Sequence, residues 1–421
     1  MKSTIVMSAA VLALAAAPTT ALAAAPGWTA PQTLSGSTTS AEDPQVAVGA
    51  NGSAVVVWEQ VGLRGERIVA ARRSADGRWS GVQPISATSA HAVFGQQVAI
   101  AAGTAVVVWQ WEGRIQVALQ PAGGAWTTPR TLSHPGGRAA FPQVAMSPAG
   151  AVFVTWQQRL RGHDRAVVVR RPVGGPWLSP RTLSGSFGDA AWPQVAVDAR
   201  GDATVVWERD WADGGRSAAL VVRRSAGGRW TTPMELSLAG QPGGGPLVAM
   251  DPGGDTLVAW MGRQAGHGAV QAVVRPAHRT WGDVALVSPG TRASALGDVA
   301  LAASGSAVVV WHRWDDSTIR VAAAVRPAGG RWLTPTTLSA PGADAWYPHV
   351  VVGGGLTTVT WESTTIEGAR LAGGTWGNVL DLSDGASGEV QQVASNAVGE
   401  VVVVWKHFDG THDRVMVTAT P

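Results

Sequence analysis

One fifteen-residue stretch, PQVAVDARGDATVVW from Pro193 to Trp207, recurs in eight close copies along the 421-residue chain, and the spacing of the copies leaves few folds open. Each copy reads as a hairpin: two Val-rich runs, here Gln194 to Val197 and Ala203 to Trp207, flank a turn bounded by Asp198 and Gly201. Glycine at that place supplies the positive φ that a three-to-four-residue hairpin connection demands. Asp198 accepts hydrogen bonds from the turn's own N–H groups. Several copies carry no carboxylate there, so the aspartate is turn chemistry rather than a calcium ligand.

Tryptophan sets the period. One series closes the hairpins at Trp58, Trp109, Trp156, Trp207, Trp260, Trp311, Trp361 and Trp405; a second falls half a repeat later, at Trp28, Trp79, Trp126, Trp177, Trp230, Trp281, Trp332 and Trp376. Between them lies another apolar run and a Gly-rich turn, as in Ile319 to Arg326 followed by Pro327 to Trp332; after the second Trp comes a short segment such as Trp332 to Ser339. Four strands result, a (PQVAV), b (ATVVW), c (RVAAAVR) and d (W..P..LS), and four antiparallel strands per unit of this length make a propeller blade. Strand b is apolar on both faces, as a strand sandwiched between blades must be. Eight strand-a copies, at Gln45, Gln97, Gln143, Gln194, Leu247, Asp298, His349 and Gln392, give eight blades. The last repeat ends after strand c, at Arg414 to Pro421, while Trp28 to Ser35 is a strand d with no blade before it. The expected fold is therefore all-β: an eight-bladed β-propeller of four-stranded antiparallel blades, closed by the N-terminal strand joining the C-terminal blade.

Residues 1–25 read as a signal peptide, with Lys2 as a minimal n-region, Ile5 to Ala17 as the apolar h-region and Ala21-Leu22-Ala23 as a cleavage site. Residues 26–421 then form one exported propeller domain, with no later run long enough for a membrane helix. The expectation is a secreted, extracellular monomer with no membrane insertion. There is no cysteine, so core burial alone must hold the fold. The net charge is +3, and Lys2 and Lys406 are the only lysines; that is no electrostatic footprint for a nucleic acid.

The turn Ser74-Ala75-Asp76-Gly77-Arg78-Trp79 resembles the Asp-box of sialidase-like propellers, although other copies put glycine at the acid, as in Ala122-Gly123-Gly124. The repeats also resemble those of secreted bacterial propellers. The resemblance implies the fold; a sialidase-like site would require a tyrosine nucleophile, and Tyr347 is the only tyrosine. Quinoprotein dehydrogenases are similar in their eight Trp-bearing blades, but the vicinal cysteines of that family are absent and no cofactor is expected.

Alternating strand direction sends the a–b and c–d turns to one end of the ring and the b–c and d–a loops to the other. The first set is nearly constant and the second varies, so a site belongs on the b–c/d–a face. The five tryptophans outside the framework map there: Trp111, Trp211 and Trp314 begin b–c loops, and Trp192 and Trp346 lie in d–a loops with Tyr347. These six residues are the candidate ligand-binding set, suited to stacking on sugar faces or burying an apolar partner patch. The expected function is non-enzymatic binding of a glycan or protein partner. The alternatives are a glycan-acting hydrolase or lyase on the same face, for which Glu59, Glu208 and Glu362 offer carboxyls, and a structural extracellular scaffold. His407, Asp409, His412 and Asp413 read as a solvated loop, with no metal expected.

Overall fold

The structure is a computed structural model, and it describes residues 25, 27–186, 188–211, 217–238, 241–315 and 317–420. Apart from Ala25, the segment read as a signal peptide lies outside them.

Among the described residues every regular element is a strand, and the strands form eight sheets, each antiparallel throughout. Blade 1 has strands a Ser40–Val48, b Ala54–Gly62, c Gly65–Arg73 and d Gln83–Pro84. Blades 2 to 7 repeat that order, with strand a at Val93–Ala101, Ala139–Met146, Asp189–Val197, Gly244–Met250, Ser294–Leu301 and Trp346–Gly353, and blade 7 adds a fifth short strand, Thr375–Trp376, against its strand c. Blade 8 contributes Glu389–Ser395, Val401–Phe408 and Asp413–Ala419, and its strand d is Gln32–Thr33 from the opposite end of the chain. Strand a of each blade touches strand a of the next all the way round, which closes the ring about a central channel.

The seam pairs Gln32 with Val417 and Thr33 with Met416. Beyond that pairing, Thr29 N donates to Ala419 O at 2.8 Å, Leu34 N donates to Val415 O at 2.8 Å, and the Arg414 guanidinium reaches the carbonyls of Gly36 and Ser37. Trp28 is buried against Ile366, Leu382 and Trp405.

The core is not one mass but eight, one between each pair of adjacent blades, and each is built round one tryptophan of the first series. Period-two alternation explains this: Val55 and Val57 face blade 2, while Val56 and Trp58 face blade 8. The eight first-series tryptophans are the largest fully buried side chains.

Two expectations need correction. Strand d is not the eight-residue Trp28-to-Ser35 type of element but two regularly paired residues; in five blades a proline such as Pro31, Pro129 or Pro335 removes a ladder donor just before it. The hairpin turns are not uniform either. Asp198 behaves as expected, its Oδ1 accepting from Arg200 N at 2.9 Å and Asp202 N at 2.8 Å. In blades 2 and 7, however, the connection is two residues, Ala102-Gly103 and Gly354-Gly355, both with φ between 48° and 75° as a mirror-image turn requires.

Candidate functional site

Every strand a carries a β-bulge on the b–c/d–a side of the ring, opposite the buried tryptophan of strand b. The bulged residue is left-handed in seven blades: Gly95 and Gly245 take this conformation freely, but Asp43, Phe141, Trp192, Tyr347 and Val390 hold φ of 47–55°. A side chain in that region is strained by about 1 to 2 kcal/mol. The bulge re-aims its residue out of the ladder, and Phe141, Trp192 and Tyr347 are accordingly exposed. Neighbouring blades hold the strained carbonyls: Gln96 takes that of Asp43, and Gln391 Nε2 donates to Tyr347 O at 2.7 Å.

The candidate aromatic residues do sit on this one face, and none is fully buried. They do not all meet. Trp314, near the end of strand b of blade 6 (Ala307–Asp315), joins Trp346 and Tyr347, which open strand a of blade 7. Trp314 and Trp346 are 6.3 Å apart between ring centroids and edge-to-face, and Trp346 and Tyr347 are 6.0 Å apart. Trp314 is 43% exposed and Tyr347 58%. The other three stand apart. Trp111 is half-buried and donates its Nε1 to Ser89 Oγ at 3.1 Å; Trp192 projects alone from the blade 4 bulge; Trp211 lies 4.1 Å from the Arg209 guanidinium, which covers its ring.

Sequence reasoning passed over the residue at the centre of the cluster. His312 lies two residues before Trp314, hence on the same face of strand b, with its ring 5.3 Å from Trp314, 5.2 Å from Trp346 and 6.2 Å from Tyr347. It is buried, and its Nδ1 has no hydrogen-bond partner among the described residues. Burial lowers its pKa, so the imidazole is neutral at neutral pH. The available signal was positional: His312 occupies the site after the buried tryptophan where other blades carry Glu59, Gln110, Gln157, Glu208 or Glu362. Beside the cluster, Arg292 pairs with Asp315 at 2.8 Å, and Gln392, His349 and Asp298 form a polar chain across the strands a of blades 8, 7 and 6.

The carboxyls considered for hydrolysis have another use. Glu208 Oε2 accepts from Gly245 N at 2.7 Å and Glu362 Oε1 from Gln391 N at 3.1 Å, so each clamps the bulge of the following blade. Burial pushes all three above the usual carboxylate range, Glu59 to about 8, where Glu66 facing it adds to the effect. They belong to blades 1, 4 and 7 and do not neighbour one another. In the blade 8 loop, Asp409 accepts from Thr411 N at 2.8 Å and His412 N at 2.9 Å and pairs with Arg414.

A cavity of about 720 Å³ lies away from this site, on the a–b/c–d side between blades 6 and 7, where Gly353, Gly354 and Gly355 leave Leu333, Leu356 and Trp376 uncovered.

No protein-family model matches the chain, and no curated protein is similar to it in sequence. Solved structures share its fold. An ulvan lyase of the polysaccharide lyase family PL25 superposes with a TM-score of 0.54 at 11% identity, over 83% of this chain and 96% of that one. The polysaccharide lyase Uly1 superposes at 0.52 and 11% identity, over 80% and 92%. An α-L-arabinanase of Penicillium chrysogenum, complexed with arabinobiose, gives 0.40 at 14% identity, over 67% and 93%.

Proposed function

We propose that this protein is a glycan-binding propeller that holds a polysaccharide on its b–c/d–a face, with Trp314, Trp346 and Tyr347 as the platform for the sugar rings. The observation that carries the reading is the clustering of these three rings round His312 at the start of blade 7, two of them substantially exposed. Flat apolar faces rimmed by Arg292, Asp315 and His349 suit a ligand that is apolar on its C–H face and polar at its edges. The fold shared with polysaccharide lyases agrees with this choice of ligand class. The N-terminal residues read as a signal peptide fit a role outside the cytoplasm.

A second reading, cleavage by elimination, draws on His312 and Tyr347. A neutral imidazole accepts a proton and a phenol supplies one. In a uronate-containing chain the base would take the proton beside the carboxylate, the C–O bond to the next sugar would break, and the leaving oxygen would be protonated. Isothermal titration against a panel of neutral, uronate-containing and sulfated polysaccharides tests both readings. Binding that Trp314→Ala and Tyr347→Phe/Ala separate is expected; absence of binding to every polysaccharide overturns the proposal. Ultraviolet absorbance from a new conjugated double bond marks elimination, new reducing ends without absorbance mark hydrolysis, and binding with neither marks a non-enzymatic module.

A further inference from the structure

Seven arginines sit at the ends of strands c in blades 1, 3, 4 and 5, on the a–b/c–d side of the ring, far from the aromatic platform. In blade 1 their purpose is plain. Arg72 crosses to blade 2, where Nη1 donates to Gln120 Oε1 at 2.9 Å and Nη2 to Gly103 O at 2.7 Å, and Arg73 donates to Gly52 O at 3.2 Å. Both side chains are pins between blades or turns.

Between blades 4 and 5 the same positions hold a different set. By register, Arg223 stands where Arg72 does, opposite the residue three before the buried tryptophan of strand b, and Arg275 of the next blade stands where Gln120 does, opposite the residue four before it. Arginine thus faces arginine where blades 1 and 2 have a donor facing an acceptor. Arg224, equivalent to Arg73, is more than nine-tenths buried, yet its Nη1 has no hydrogen-bond partner among the described residues, and neither has the enclosed Nε of Arg275. Burial first, and then the neighbouring guanidinium, lowers the pKa of both: Arg170 acts on Arg224 and Arg223 on Arg275. Arginine nevertheless stays charged.

Arg223 and Arg275 line a cavity of about 230 Å³ together with Arg229, Thr231 and His278, whereas Arg224, on the other face of strand c, turns toward Arg170 of blade 3. The nearby carboxylates are Asp202 and Asp255, each of which already accepts a turn amide, from Ala226 N at 2.6 Å and Ala277 N at 2.7 Å. Arg200 contacts His278 at the rim. Arg223, Arg229 and Arg275 against two engaged aspartates leave a surplus of positive charge around one cavity, with the Nε of Arg275 still unpartnered among the described residues. Guanidinium forks match tetrahedral oxyanions in shape and charge, and the volume is below that of a pocket for a drug-sized molecule.

We propose that the cavity between blades 4 and 5 is a binding site for a sulfate or phosphate group, bridged between Arg223 and Arg275. The group comes either as the free ion or as an ester on a larger molecule. The site is independent of the aromatic platform, on the opposite face.

Isothermal titration of the full chain with inorganic sulfate and inorganic phosphate, against chloride at matched ionic strength, is the test. Saturable binding of the tetrahedral anions, with no such response to chloride, is expected. Arg275→Gln installs the residue that blade 2 carries at this position; it should weaken binding at least tenfold and leave the unliganded melting temperature unchanged or higher at low salt. Arg229→Gln, at an exposed turn position, should weaken binding several-fold and change the melting temperature little. A sulfated oligosaccharide that binds at least tenfold tighter than inorganic sulfate, and loses that margin on desulfation, identifies an ester as the ligand; equal affinity identifies the free ion. Responses that do not distinguish sulfate and phosphate from chloride overturn the proposal, as does full affinity in both variants.

Discussion

Gln391 of blade 8 donates its Nε2 to the main-chain carbonyl of Tyr347 in blade 7, at 2.7 Å, while its Oε1 accepts from Thr360 Oγ1 at 2.7 Å. The strained bulge that displays Tyr347 is thus held from the neighbouring blade, not from its own. Gln391→Leu would leave a buried carbonyl and hydroxyl without partners, a loss of about 2 to 4 kcal/mol. Sugar binding should weaken with it, because the bulge that aims Tyr347 is released. Denaturant melts and titrations of the same variant check both; an unchanged midpoint would show that the bulge holds itself.

The seam gives a second prediction. Deleting residues 28–35 removes strand d of blade 8 and the Trp28 contact with Trp405, exposing the edge of Asp413–Ala419. Stability should fall by several kcal/mol, and the open edge should promote association. Thermal melts with light scattering are the measurement, and a deletion that melts like the parent would disprove the latch.

Framework and face tryptophans should respond in opposite ways. Trp207→Ala opens a cavity in the core between blades 3 and 4, with an expected loss of about 3 to 5 kcal/mol. Trp192→Ala removes a ring that is 47% exposed and should change stability by less than about 1 kcal/mol, while relieving no core contact. Similar midpoints in urea for the two variants would contradict the division.

Glu59 ties stability to pH. Its carboxyl moves from the ordinary 4.5 to about 8, first through burial and then through Glu66. The folded state therefore binds the proton more tightly than the unfolded chain, so the contribution is complete below about pH 4.5, declines through the interval and is gone above about pH 8. The slope reaches at most about 1.4 kcal/mol per pH unit, and the whole is on the order of a few kcal/mol. Glu59→Gln, the residue type found at Gln110 and Gln157, should flatten this decline and exceed the parent in stability above pH 8. Urea midpoints from pH 4 to 9 decide it; parallel curves would remove Glu59 as the cause.

The blade repeat, the number of blades, the seam and the sidedness of the loops were all legible, because each follows from positions that must repeat if adjacent blades are to pack alike. Trp58 and its seven counterparts announce the interfaces in one dimension. What distinguishes one blade from another was harder to read. Asp43, Phe141 and Val390 share a left-handed bulge without sharing a residue type, since the strain is imposed by the opposing tryptophan and the next blade rather than by local preference. His312 carried no signal of its own in the sequence; only the leaning of strand b of blade 6 on strand a of blade 7 surrounds it with Trp314, Trp346 and Tyr347. The carboxyls Glu208 and Glu362 were available in the sequence to a hydrolase alternative, and their partners are bulge amides some 30 residues further along the chain, which no local pattern announces.

Dividing the core into eight interfaces has a consequence for how the molecule comes apart. A linear array of repeats frays from its ends, each terminal unit leaving at the expense of a single interface. A closed cycle has no end to fray until it is cut, and here the one joint not held by chain connectivity is the seam of Trp28 to Ser37 against Asp413–Ala419. Amide hydrogens in blade 8 should therefore exchange through release of that short strand, ahead of global unfolding, whereas those of strand b in blades 3 to 5 should exchange only when the whole cycle opens.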